Sequence, residues 1–171
     1  MNGSPLPVRH GYPVRIIVPG LFGEKNVKWV TRVELTDHHV KGFYARQGWG
    51  PNFVISTEAR FDQPSDGQTI HMHMGATVLQ KGIAFAGARG ISRVEVSFDD
   101  ALTWHEARID YSGAPMAWVL WTFDWHLTQP GRYTLVVRAT DGTGTLQPPE
   151  YRSFAPEGAT GYHRIAVQVE V

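Results

Sequence analysis

The chain contains no cysteine. That absence excludes disulfides, thiolate zinc sites, iron–sulfur ligation and a cysteine nucleophile within its 171 residues, and it leaves the redox compartment unread. Excess charge of one sign is missing too. Lys and Arg number 16 and so do Asp and Glu, so the formal net charge is zero. A general binder of nucleic acid or anionic membrane carries a basic excess, so neither partner is expected. No apolar run approaches the roughly 18 residues of a membrane-crossing helix. Met1-Asn2-Gly3-Ser4-Pro5 also lacks the apolar stretch of a secretory signal. Charged residues are scarce, at 19% against about 25% in an average domain. Turn formers are plentiful instead. Eighteen glycines and 11 prolines favour many short elements over long helices. With 42% hydrophobic and 12% aromatic residues, the chain can build a core, and wholesale disorder is excluded.

No internal repeat of the usual solenoid periods is present. The turn formers Gln63-Pro64-Ser65-Asp66-Gly67 mark the best boundary, dividing residues 1–65 from 66–171. Charge shifts there as well. Residues 1–65 hold eight basic and five acidic residues, and residues 66–171 hold eight and eleven.

The second part alternates as strands do. Val94, Val96 and Phe98 interleave with Glu95 and Ser97, and Asp99-Asp100-Ala101 turns the chain into 104–110. In 117–127, Trp121, Phe123, Trp125 and Leu127 share one face, and Trp118, Leu120, Thr122, Asp124 and His126 the other. Pro130-Gly131 turns into 132–140, and Ile165, Val167 and Val169 alternate near the end. With 70–74 and 78–86, about seven strands fall into this stretch, the pattern of an immunoglobulin-like β-sandwich. The fold class is therefore mainly β. The cysteine pair of antibody domains is absent, so the likeness is one of architecture.

Residues 1–65 differ. Val14–Val18 is short, apolar and β-branched, as a buried strand is. Pro19-Gly20 breaks it, Val27–Leu35 alternates loosely, and 36–60 suggests mostly loop. Two strands and a loop make no self-sufficient core. The segment is expected to dock elsewhere, on the sandwich or on protein outside this chain.

Its residues nevertheless carry the most specific pattern. Asn2-Gly3-x-Pro5-Leu6 leads to His10-Gly11-Tyr12-Pro13-Val14-Arg15, then an apolar strand, Pro19-Gly20-x-x-Gly23 and Val27-Lys28-Trp29. His10, Arg15 and Lys28 flank one strand and the glycine-bearing turn after it. Glycines let backbone N–H groups approach a ligand, and cations supply charge-assisted bonds to phosphate. The same residues also suit a merely solvated surface.

This stretch resembles the pterin-binding segment of sulfite oxidase-type molybdenum oxidoreductases. Their pattern runs Asn-Gly-x-x-Leu-x-x-x-His-Gly-x-Pro-Val-Arg, a short apolar strand, Pro-Gly-x-x-Gly and Val-Lys-Trp. The second part resembles the immunoglobulin-like (E-set) dimerisation domain of that family. It does so through Gly87-x-x-Gly90-Ile91, Val94-Glu95-Val96-Ser97, Thr103-Trp104, Trp118-x-x-Trp121, Pro130-Gly131-x-Tyr133, Arg138-Ala139-x-Asp141-x-x-Gly144 and Gln147-Pro148. The resemblance implies a C-terminal piece of a molybdopterin-binding domain at 1–65 and a dimerisation domain at 66–171. It implies cofactor contacts from His10, Arg15 and Lys28 and from the backbone at Asn26 and Val27. It implies a homodimer through the sandwich. Family members are often exported, so the periplasm is compatible with it.

The departures matter equally. In the family a cysteine thiolate from an earlier region binds molybdenum, and a soft metal needs its soft ligand. The resemblance therefore implies an N-terminal catalytic half, on the same or another chain, that shares the molybdenum cofactor. No catalytic residue and no turnover are expected from these 171 residues alone. Where sulfite oxidases carry Tyr-Lys-Gly-Phe, this chain has Val40-Lys41-Gly42-Phe43, with Tyr44 next. The family's oxyanion-contacting arginine falls near Ala155, with Arg152 close by. Both changes argue against sulfite, and Arg46, Gln47 and Trp49 are candidates for shaping another substrate.

Other patterns have simpler readings. His71-x-His73 in a strand would share a face and could bind a metal with a third ligand, with Met72 and Met74 opposite, but no third ligand is evident and no metal site is expected. His38-His39 suits a solvated loop, and Asp99-Asp100 a hairpin turn. The tryptophans of 117–127 suit a core or subunit interface, or a sugar-stacking platform. The last supports the competing function, a non-catalytic immunoglobulin-like module binding carbohydrate or protein.

Overall fold

Alternation of small and β-branched residues with polar ones builds nine strands, seen in a computed structural model that describes residues 3–50, 52–71, 73 and 75–171. Asn2, Met72 and Met74, singled out above, lie outside the described residues. The chain divides into two compact units, Met1–Ile55 with Ser153–Ala159, and Ser56–Arg152 with Thr160–Val171.

Among the described residues every strand lies in the second unit. These are β1 (Glu58–Gln63), β2 (Thr69–His71), β3 (Thr77–Phe85), β4 (Ile91–Ser97), β5 (His105–Glu106), β6 (Arg108–Tyr111), β7 (Val119–His126), β8 (Gly131–Asp141) and β9 (His163–Glu170). They form a four-stranded sheet, β1-β3-β7-β6, and a five-stranded sheet, β2-β9-β8-β4-β5. All neighbours run antiparallel except β2 and β9. Residues of both sheets share one apolar core, as a β-sandwich requires. Phe61, Trp121 and Leu127 meet Val94, Val96, Leu135, Val137 and Ile165 there.

The expected alternation along 117–127 holds. Trp121, Trp125 and Leu127 are buried, and Leu120, Asp124 and His126 face water. Trp125 stacks on Phe98 with centroids 5.0 Å apart and meets Tyr133 edge-on at 4.9 Å. These rings therefore serve the core, and Trp118 is the tryptophan of this stretch that stands half exposed. The Asp99 turn is also as expected. Asp99 accepts hydrogen bonds from the Thr103 hydroxyl and N–H and from the Ser97 hydroxyl, which lower its carboxyl to about 2.

Asp141, at the end of β8, is almost wholly buried. Burial pushes its carboxyl upward, but bonds from Thr143, Arg89 and Thr145 outweigh that and hold it well below the usual carboxylate range. Thr57 donates to the same carboxylate, tying the start of the unit to the end of β8.

The strand expectation for the first part needs correction. Val14–Val18 is neither a regular strand nor buried. It pairs with 27–30 through one bridge, Arg15 with Lys28, flanked by Ile16 N–H to Val27 O and Val30 N–H to Val14 O. Val14 and Ile17 are more than half exposed. Pro13 and Pro19 bracket the segment and remove the donors a longer ladder needs. Val27–Leu35 likewise forms no strand, and Val33 and Leu35 point to water. The expectation that 36–60 is mostly loop holds: Phe43–Arg46 makes one helical turn there, and β1 opens at Glu58, burying Ala59 and Phe61 against the core.

Candidate functional site

Arg15 and Lys28 pair in an isolated bridge, and the turn that bears His10 lies against it. Directly paired antiparallel residues project to one side, and a second observation fixes that side. Gly11 is buried, at φ +113°, and a Cβ placed there would lie 3.1 Å from Lys28 Cβ and 3.2 Å from Arg15 Cβ. The turn Val8–His10 thus lies across the two cationic side chains, with glycine as the contact because any larger residue would crowd both.

Each partner is secured. Lys28 Nζ donates to Arg9 O at 3.2 Å and lies 4.6 Å from the centre of the Trp29 ring. Trp29 Nε1 donates to Val8 O at 2.9 Å, pinning the same turn. An Arg15 guanidinium nitrogen reaches His10 O at the long limit of 3.5 Å. Arg15 Nε is buried and has no hydrogen-bond partner. Arg15, Lys28 and the exposed turn bearing His10 therefore share one locality.

Asn26 and Val27 have structural duties. Asn26 Oδ1 accepts the Val18 N–H at 2.6 Å, and its own N–H donates to Gly23 O. Val27 O accepts from Ile16. Together they hold the glycine-bearing turn Gly23–Lys25 to the apolar segment.

Two cavities lie in the same unit. One, of about 490 Å³, is lined by Lys25, His39, Val40, Lys41 and their neighbours through Phe53. Val40 forms part of that wall. The other, of about 340 Å³, has aromatic walls that include Tyr44, Trp49 and Phe154. Arg46 ends the helical turn before it. Ala155 lies in the turn closed by Gly158 N–H to Phe154 O, and Arg152 bridges Thr160 within the second unit. Sequence reasoning missed Glu24, which lines the aromatic cavity, because a single glutamate between glycine and lysine carries no pattern.

His71 is exposed and stands 3.9 Å from Glu170. Among the described residues no three His, Cys, Asp or Glu side chains gather as a metal site. Among the described residues no helix is long and apolar enough to cross a membrane.

Comparison with known proteins gives consistent matches. Residues 1–44 match the family described as oxidoreductase molybdopterin binding domain, and residues 53–170 the family described as Mo-co oxidoreductase dimerisation domain. Mitochondrial sulfite oxidase of Rattus norvegicus is 31% identical across 99% of this chain and 35% of its own length. A nitrate reductase [NADH] of Ulva prolifera is 30% identical across 86% of this chain and 21% of its own. The crystal structure of the sulfane dehydrogenase SoxCD from Paracoccus pantotrophus superposes with a TM-score of 0.75 at 27% identity, covering 99% of this chain and 49% of that one. The chain thus spans about a third of the length of the sulfite oxidases it matches.

Proposed function

The chain belongs to the Mo-co oxidoreductase dimerisation family, as the C-terminal portion of a sulfite oxidase-type enzyme, and on that premise we propose that its first part grips a molybdopterin while its sandwich pairs with a second copy. The observation that carries the cofactor reading is the Arg15–Lys28 bridge beneath Gly11, with Arg15 Nε buried and lacking a partner. A phosphate dianion suits that donor set, since guanidinium and ammonium both form charge-assisted bonds. The residues present fit the group.

Arg15 supplies a planar, permanently charged donor and Lys28 a point charge. His10 supplies an imidazole from the exposed turn. Asn26 and Val27 contribute mainly by holding the turn that precedes Lys28, because the Asn26 N–H and the Val27 carbonyl are already engaged. When bound, the cofactor would supply the redox centre for oxygen-atom transfer. This chain's residues would anchor and orient it. The soft ligand for molybdenum would come from the remaining, N-terminal part of the pterin domain, because no cysteine exists here. Val40 and Ala155, standing where the family places a tyrosine and an arginine, favour a substrate other than sulfite.

The test is cofactor content in the assembled oxidoreductase. Arg15→Ala or Lys28→Ala removes one charge-assisted bond and should weaken cofactor retention about tenfold, measured as pterin fluorescence per protein. Unchanged content in both variants would overturn the cradle.

A further inference from the structure

The smaller cavity of the first unit is built differently from the basic bridge. Its volume of about 340 Å³ falls within the range of small-molecule sites, roughly 300–1,000 Å³. Tyr44 and Trp49 lie 5.3 Å apart, and Trp49 and Phe154 5.6 Å apart, giving a continuous aromatic wall. Phe22 and Phe53 extend it. Its charged residues are Glu24 and Glu157, and no Lys, Arg or His lines it. Glu24 Oε1 is buried without a hydrogen-bond partner, so this oxygen is left to receive a donor or a cation. Lys25 Nζ lies 3.6 Å from the centre of the Phe53 ring, and Lys25 lines the neighbouring cavity.

The walls are fixed in place. Gly158 N–H donates to Phe154 O at 2.8 Å, Gly50 N–H to Pro156 O at 2.9 Å, and Phe22 N–H to Phe53 O at 2.9 Å. Gly158 lies against the Phe22 ring so closely that a Cβ there would approach to 2.2 Å.

Aromatic faces attract cations through their quadrupoles, and a carboxylate oxygen without a partner adds a complementary contact. We infer that this cavity is a binding site for a small organic cation of the quaternary or substituted ammonium class. The inference goes beyond the pterin reading and does not depend on it, because the cavity shares neither Arg15 nor Lys28.

Choline and its uncharged isostere 3,3-dimethyl-1-butanol test it directly, in ligand-detected NMR titrations of the 171-residue chain at constant ionic strength. Choline should bind saturably, about tenfold more tightly than the isostere. Glu24→Gln preserves shape and removes the charge, so it should cut choline affinity severalfold and leave the isostere unchanged. No saturable choline binding, equal affinity for the two compounds, or unchanged choline affinity in Glu24→Gln would each overturn the proposal. Because the assay needs no pterin, its failure is distinguishable from failure of the cofactor reading.

Discussion

His163 opens β9 with its Nδ1 accepting the Phe61 N–H at 3.1 Å, a bond across 102 positions of sequence. Only an imidazole unprotonated at that nitrogen can accept it. Burial pushes its pKa below the usual 6.5, and the positive charge of Arg60 adds to the depression. The folded state therefore prefers the neutral ring. The resulting stability is complete above about pH 6.5, where the unfolded histidine is also neutral, and is lost as pH falls towards the folded value. An NMR titration should place the His163 midpoint below 6.5, and His163→Gln should flatten this part of the stability profile. A midpoint at or above the usual value would refute the assignment. Asp141 works in the same direction lower on the scale. Its lowered carboxyl supports the fold above about pH 4 and ceases to do so as acid protonates it.

At the scale of elements, the meeting of β1, β3 and β7 depends on a missing side chain. A Cβ on Gly82 would stand 1.9 Å from Arg60 O and 2.6 Å from Trp121 Cζ2. Trp121 is fully buried, so it cannot retreat without disturbing the core. Gly82→Ala should cost about 3 kcal/mol, in the range of severe overpacking, read as a lower urea midpoint. A loss below about 0.5 kcal/mol, the scale of an ordinary surface change, would show that the strands move apart freely. The sequence displays why β7 is a strand, since its alternation runs over eight residues. It conceals β1, whose pattern of Ala59 and Phe61 among charged residues is short and follows a loop rich in glycine. In the other direction, β-branched Val14–Val18 suggests a strand that the structure reduces to one bridge, because propensity cannot supply the neighbouring strands on which a sheet depends.

For the whole molecule, the first question is how many chains assemble. A dimerisation-family sandwich with a half-exposed Trp118 should form a two-chain particle. Sedimentation equilibrium at micromolar concentration should return twice 19.1 kDa, and a single-chain mass across that range would count against pairing through the sandwich. The amino-acid sequence alone determined the mainly β architecture, the Trp121–Leu127 core face, the Asp99 turn and the resemblance carried by His10 to Trp29. These are local patterns of period two, turn chemistry and spacing, which neighbouring residues specify among themselves. Tertiary structure decided what depends on distant segments meeting. It seated Gly11 on Arg15 and Lys28, assigned Asn26 to holding the turn, and brought Phe154 against Trp49 across about a hundred positions. Periodicity and turn chemistry specify none of these meetings, because packing and exclusion of water by the assembled chain select them.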